Sequence, residues 1–315
     1  MNNILDVYPI EKMTYGYNIE IQGVETISEG LYQVENVNLS GDAPKSLIRI
    51  GENKYIAKTG HKWYPIESIT EHLLNQLGTI FGLKMAESRL AIINNQLRFL
   101  SKWFLTEKES LVHGAEIFDN YLQDAVFVRE IEKQKMAREL FTLQFVEKSI
   151  KHFSPQYNIE IMRNLVKLLL FDALVGNNDR HFENWAVIVK NRGYKPEFSP
   201  IYDTARGLFW NQSEMSLNTF TDSKIKKYSI GSKPKLGWDG VNDKDLNHFR
   251  LVKEIYQNQF YITFSEVKEL FADNKIVKMK NFVNKNFAQL MSDRRIELIG
   301  KCLDFRFSTI KEILK

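Results

Sequence analysis

The sequence predicts an α+β chain in two lobes, a small β-rich one followed by a larger, mainly helical one. Three observations predict it. At 315 residues, with 43% hydrophobic and 12% aromatic side chains, the chain is long for one compact core and has ample apolar material to bury. Short runs rich in β-branched and aromatic residues crowd the first hundred positions, separated by polar or Gly-bearing breaks. From about residue 106 the texture changes to long amphipathic helical spacing. The expected division is 1–105 and 106–315.

In the first lobe YNIEIQ (17–22), GLYQVENV (30–37), KSLIRI (45–50) and KYIAKT (54–59) read as strands, with NLSGDAPK (38–45) and IGEN (50–53) as two of the breaks. A helix follows over 68–83, where Leu73, Leu74, Leu77, Ile80 and Phe81 form one apolar stripe and Gly82 is the stop. SRLAIIN (88–94) and QLRFLSKWF (96–104) return to strand character. In the second lobe 127–153 reads as one long amphipathic helix and 159–175 as another. The wet face of the latter, marked by Glu160, Arg163, Asn164 and Lys167, vanishes beyond Lys167, so that end should be buried all round. WAVIVK (185–190) is a strand, and a second short strand should end at Asp203. Residues 204–240 read as irregular and polar, and helices over 244–258 and 264–272 follow.

Bulk numbers exclude several classes. With 43 basic against 39 acidic side chains the net charge is only +4. The basic runs KIKK (224–227) and KIVKMK (275–280) read as solvated faces, so charge gives no case for nucleic acid. The single cysteine, Cys302, excludes an intramolecular disulfide or a cysteine metal cluster and suits a reducing cytoplasm. The start, MNNILDVYPIEK, lacks a signal-peptide pattern. The most apolar stretch, 165–175, is interrupted by Lys167 and Asp172 and falls short of the roughly 20 residues of a membrane span.

The chemistry concentrates in NNDRHFENW (177–185), a polar loop between two segments that both want burial. Asp179 and Asn184 are five apart, and a further carboxylate, Asp203, follows. Phosphoryl transfer uses these types in this order: a carboxylate to take the proton of the attacking hydroxyl, then an amide oxygen and a second carboxylate for magnesium. Protein kinases carry the same Asp-then-Asn spacing in their catalytic loop. A plain solvent turn is the alternative. In the first lobe Lys58 ends a strand and Glu71 lies in the next helix, the pair a kinase needs for the phosphates. Equally, Ser68 and Glu71 form S-x-x-E, a capping box. A capping Glu71 folds back toward Ser68, whereas a kinase glutamate reaches across to Lys58. NLSGDAPKS (38–46) fits either an anion nest of backbone N–H groups or a hairpin turn.

Together, N-x-D-x-H-x-x-N (Asn177, Asp179, His181, Asn184) and P-x-Y-D (Pro200 to Asp203) resemble the paired signature of HipA-like serine/threonine kinases, bacterial proteins known as toxins of toxin–antitoxin modules. SGDAPK (40–45) resembles that family's phosphate loop, YIAK (55–58) its ATP-lysine strand, and Glu71 to Leu83 its first helix, so the likeness spans roughly residues 35 to 205. It implies a bilobal protein-kinase-like fold and an ATP- and Mg²⁺-dependent protein kinase. Asp179 would be the catalytic base, and Asn184 and Asp203 metal ligands. Lys58 would contact phosphates with Glu71 orienting it, and Ser40, Gly41, Asp42, Ala43 and Lys45 would line the phosphate loop. Lys102, Trp103, Phe104 and Tyr202 would border adenine. His181 takes a phosphate-side or loop-bracing place, with Arg180 and Glu183 bracing the loop. A protein substrate and a cognate antitoxin are the implied partners, with no membrane. The sequence departs from the pattern in two ways: it resembles a short form without the separate N-terminal domain, and Asp42-Ala43-Pro44 replaces a Gln-containing phosphate loop. Ser40 occupies the neighbourhood where longer relatives modify themselves. Two other readings remain open. One is a lipid or small-molecule kinase, since D-R-H-F-E-N also resembles a phosphatidylinositol kinase loop, although Asp203-Thr204-Ala205 stands where those have D-F-G. The other is a nucleotide-binding pseudokinase.

Overall fold

The computed structural model describes residues 23–35, 45–60, 63, 65–133, 136–190 and 195–315. The expected strand over 17–22 and the phosphate-loop positions Ser40, Gly41, Asp42 and Ala43 lie outside the described residues.

The chain begins with β1 (Glu25–Thr26), β2 (Gln33–Glu35), β3 (Lys45–Ile50) and β4 (Asn53–Lys58), then α1 (Ile66–Phe81), β5 (Ser88–Ile93) and β6 (Gln96–Lys102). These strands form one six-stranded sheet in the order β1-β5-β6-β4-β3-β2, antiparallel except for the β1–β5 pair. The β4–β6 register sets Lys58 opposite Phe99. A small cluster of Ile48, Tyr55, Ala57, Ala91, Ile93 and Leu100 packs one face of the sheet. The other face carries α1, whose Leu73, Leu74, Leu77 and Phe81 join the main core. Gly82 ends α1 at φ 106°, a left-handed conformation in which its N–H caps Gly78 and Thr79.

The helical region contains β7 (Glu109–His113), α2 (Gly114–Leu122), α3 (Ala125–Lys133), α4 (Ala137–Leu140), α5 (Leu143–Phe153), α6 (Asn158–Val175), β8 (Ala186–Lys190) and β9 (Glu197–Phe198). It finishes with α7 (Glu214–Asn218), α8 (Asp222–Gly231), α9 (His248–Gln257), α10 (Phe264–Leu270), α11 (Asp273–Asn286) and α12 (Asp293–Ile313). β7, β8 and β9 make a three-stranded antiparallel sheet. One continuous apolar core runs from α1 through α6 to α12, so α1 is clamped on both sides. The Lys275 ammonium of α11 reinforces this by donating to the Phe81 carbonyl at 2.7 Å. Among the described residues no helix is long and apolar enough to cross a membrane.

Four expectations need correction. The single helix over 127–153 is three helices, because Phe141 turns into the core against Phe118 and Phe182 while Thr142 caps a new start by accepting from Phe145 N. Asp203 does not end a strand: β9 stops at Phe198, and Ile201 makes only an isolated bridge to Met85. The irregular 204–240 stretch holds α7 and α8, each started by a Ser or Thr cap. β7 and α2 were not foreseen. By contrast α6 is wet up to Lys167 and buried from Leu168 to Val175, as its sequence requires.

Candidate active site

α6 is a piston that delivers the polar loop. Its last turn is wholly buried, and Gly176 at φ 70° reverses the chain directly into Asn177. Buried Asp172, still in the helix, accepts from Asn177 Nδ2 at 2.8 Å and pairs with Arg180 Nε at 2.9 Å. Arg180 is 1% exposed. Its Nη1 donates to the carbonyls of Asn184 (2.6 Å) and Tyr202 (3.0 Å), with that of Asp203 at 3.5 Å. One guanidinium nitrogen thus bolts the 177–184 loop to the 202–203 turn, as a rigid planar donor fork is suited to do. Asn184 Nδ2 donates to the Asp179 carbonyl at 2.8 Å, closing the loop on itself. Arg180 therefore takes the bracing place expected of it, and the loop is no solvent turn.

The sheet contributes the opposing half. Lys58 Nζ lies 2.9 Å from Glu71 Oε1 and 2.9 Å from Asp203 Oδ1. Ser68 instead accepts from Gly60 N at 3.1 Å, and α1 has Pro65 at its cap, so Glu71 is no capping residue. Asp203 has φ 56°, a conformation rare for a non-glycine residue that is characteristic of functional turns. Burial tends to raise the Asp203 pKa, but Lys58 beside it, with help from Lys45 and Arg180, holds it down at about 2. Glu71 moves the other way. Burial, with the Asp203 charge adding to it, pushes its carboxyl up to about 7 against the pull of Lys58. Lys58 is desolvated too, yet its two carboxylate partners drive its pKa above the ordinary lysine value.

Asp179 is held by a residue that sequence reasoning missed. Arg206 Nη1 donates to Asp179 Oδ1 and its Nε faces Oδ2, both at 3.2 Å. The same guanidinium lies over the Trp210 ring, 5.2 Å from its centroid. Burial still raises the Asp179 pKa, partly offset by Arg206 and Lys235. The available signal was one arginine among small residues, TARG, directly after Asp203.

The remaining expected residues divide. Phe104 and Tyr202 come together with ring centroids 6.3 Å apart. The Tyr202 hydroxyl lies 3.0 Å from His113 Nδ1, another residue not singled out beforehand, and that nitrogen is 2.9 Å from the Glu183 carbonyl. Lys102 joins neither ring in a pair: its ammonium turns to Glu87 at 2.9 Å. His181 makes a contact within its own loop, its Nδ1 accepting from Glu183 N at 3.2 Å. Lys45 sits at the start of β3 opposite Lys58 in register.

A sheet with one packed helix, joined to a helical region, with a lysine–glutamate pair facing an Asp–Asn loop across the seam, is a kinase-like fold. The chain belongs to the HipA-like kinase family: the HipA-like C-terminal domain matches residues 37–266, well over half of the 315. Among solved structures it is similar to the Helicobacter pylori proinflammatory kinase CtkA, at 17% identity and a TM-score of 0.73, covering 92% of this chain and 96% of that one. It is also similar to HipA of a Shewanella oneidensis MR-1 toxin–antitoxin system, solved with HipB and operator DNA, at 11% identity and a TM-score of 0.51, covering 95% and 67% of the two chains. Identities this low speak for the fold alone. No curated protein matches the chain in sequence.

Proposed function

We propose that the protein is an ATP-dependent phosphotransferase of the serine/threonine protein kinase type. One observation carries the reading: Lys58 Nζ sits 2.9 Å from both Glu71 and Asp203, the tethered cation that a nucleotide phosphate needs, in a chain of the HipA-like family. In this reading Lys58 exchanges its bond to Asp203 for phosphate oxygens while Glu71 keeps it aimed. The donor set fits magnesium. Asp203 stays ionised down to about pH 2, and Asn184, whose amide nitrogen is used by the Asp179 carbonyl, keeps its side-chain oxygen to give. Among the described residues no three His, Cys, Asp or Glu side chains form a metal cluster. That agrees with an ion held by one carboxylate, an amide and the substrate's own phosphates. Magnesium held there would neutralise triphosphate charge as the bond to the leaving group breaks.

Asp179 supplies the base. Its raised pKa makes it a better proton acceptor than a solvated aspartate, and Arg206 must yield one of its oxygens to the incoming hydroxyl. Phe104 and Tyr202 present the aromatic edge for adenine. By analogy with the Shewanella HipA, which belongs to a toxin–antitoxin system and was solved with HipB, the protein would act as a growth-inhibiting toxin with a cognate antitoxin as partner. Calorimetric titration with ATP and Mg²⁺ tests the nucleotide half of the reading. Lys58→Met should weaken ATP binding at least tenfold, and Asp203→Ala should remove its magnesium dependence. Folded wild type that binds no ATP would end the proposal.

A further inference from the structure

The segment after Asp203 makes a turn of unusual backbone. Leu208 and Phe209 both hold positive φ, at 43° and 64°, backbone that bulky residues keep only when their surroundings impose it. Here the surroundings do. Fully buried Arg295 donates to the Phe209 carbonyl at 2.9 Å and the Gln212 carbonyl at 2.6 Å, and pairs with Glu214 at 2.8 Å. Phe209 N donates to the Tyr228 hydroxyl at 2.8 Å, tying the turn to α8. Between this fixed turn, the start of the catalytic loop and α8 lies a cleft of about 440 Å³.

Its lining has one sign of charge. Lys224 and Lys227 face it and, among the described residues, no carboxylate does, while Asn178 and Gln212 add amides and Trp210 an aromatic wall. The two lysines are exposed and three apart on α8, a spacing that sets like charges side by side and works against the helix. Neither has a carboxylate partner among the described residues; Lys224 Nζ donates only to Thr219 Oγ1, at 3.0 Å. The buried positions of α8 are Ile225 and Ser229, so the fold itself has no use for the pair of charges.

The cleft also adjoins the proposed base. Asn178, in its wall, precedes Asp179 and donates its N–H to the Arg206 carbonyl at 3.2 Å. Trp210, in the same wall, lies beneath the guanidinium that holds Asp179. A chain of about 3.3 Å per residue crosses from such a cleft to the base in a few residues.

We propose that this cleft is the acceptor subsite for an anionic side chain, carboxylate or phosphate, of a substrate polypeptide, within a few residues of the hydroxyl presented to Asp179. The inference rests on the kinase reading above. Lys224 and Lys227 supply charge-assisted hydrogen bonds to the anion, and Trp210 covers the stem that carries it.

Fluorescence anisotropy with three labelled peptides tests it: one serine flanked by glutamates, the same serine flanked by phosphoserine, and the same serine flanked by lysines. Wild type should bind an acidic peptide at least tenfold more tightly than the lysine peptide, and the stronger of the two acidic ones identifies carboxylate or phosphate. Lys224→Ala/Lys227→Ala should lose at least tenfold for that peptide with ATP affinity unchanged, and Lys224→Glu/Lys227→Glu should prefer the lysine peptide. Both sites are exposed, so a matching melting temperature confirms that each variant is folded. Wild type that binds the lysine peptide as well as the acidic ones, or none of them, overturns the subsite, as does unchanged binding in the alanine variant. Wild type that takes the acidic peptide but neither binds nor turns over ATP overturns the kinase reading instead and leaves the anion subsite standing.

Discussion

Arg180→Met separates the architecture of the loop from its chemistry. The substitution keeps the side chain's length and apolar stem but removes a guanidinium paired with Asp172 in a pocket where the two side chains are 1% and 2% exposed. Breaking a buried pair from one side leaves a charge unsolvated and costs about 3–5 kcal/mol. With an unfolding entropy of roughly 2.1 cal/mol/K per residue over 315 residues, a loss of about 4 kcal/mol lowers the melting temperature by about 6 °C. The Asn184 and Tyr202 carbonyls are released as well, so Asn184 and Asp203 drift relative to one another. A displacement of about 1 Å in positioned groups costs on the order of 100-fold in rate. The double variant Arg180→Met/Asp172→Leu removes both charges, and replacing a buried ion pair by apolar groups is close to neutral. About 1–2 kcal/mol of the loss should persist, because Asn177 Nδ2 then lacks its Asp172 acceptor. Calorimetry and phosphate transfer on the three proteins should therefore part company: stability largely returns in the double variant and activity does not. Recovery of both, or full activity in the single variant, would refute a bracing role for Arg180.

Four further outcomes follow from the structure. Because the Glu71 carboxyl is raised to about 7, above an unfolded value of about 4.3, its stabilising contribution is complete below about pH 4 and is lost as pH climbs through 7. Denaturant unfolding at several pH values should show Glu71→Gln lacking that component of the wild-type decline, and parallel curves would contradict it. Arg206 lowers the Asp179 pKa, so Arg206→Gln should move the acidic limb of the kcat profile to higher pH; an unmoved limb would remove Arg206 from the base's surroundings. A Cβ on Gly114 would lie 2.7 Å from the Phe182 carbonyl and closer still to the Trp185 ring, so Gly114→Ala should lower stability by about 1–3 kcal/mol. Gly300→Ala, within α12 and with nothing nearer than Lys280 Cε at 3.9 Å, should raise it by about 0.5–1 kcal/mol, as melting curves would show.

The sequence made the site's charged residues legible because position in the chain constrains them. Lys58 had to end a strand, Glu71 had to sit one turn into a helix, and Asp179 and Asn184 had to share a loop. Arg206 was hidden because its partner, Asp179, is 27 residues away and no local pattern announces such a pair. The break at Phe141 was equally silent: it continues the apolar stripe of the preceding helix, and only the aromatic partners Phe118 and Phe182 show that it turns inward. α8 was hidden in the stretch 204–240, whose polar composition reads as irregular and whose KIKK reads only as a solvated face, although Thr221 accepts from Lys224 N as an ordinary cap. Asp203 was placed in the chain but not in shape, since the positive φ that turns it toward Lys58 is a tertiary effect.

The most direct measurement is transfer of labelled γ-phosphate from ATP with Mg²⁺ to the protein itself or to an added protein, comparing wild type with Asp179→Asn. That change preserves the size of the side chain and removes its capacity to take a proton. Label in the wild type that disappears in a folded, ATP-binding Asp179→Asn is the predicted result. Equal transfer by both would contradict the assignment of the base, and no transfer by ATP-binding wild type to any protein would contradict the kinase.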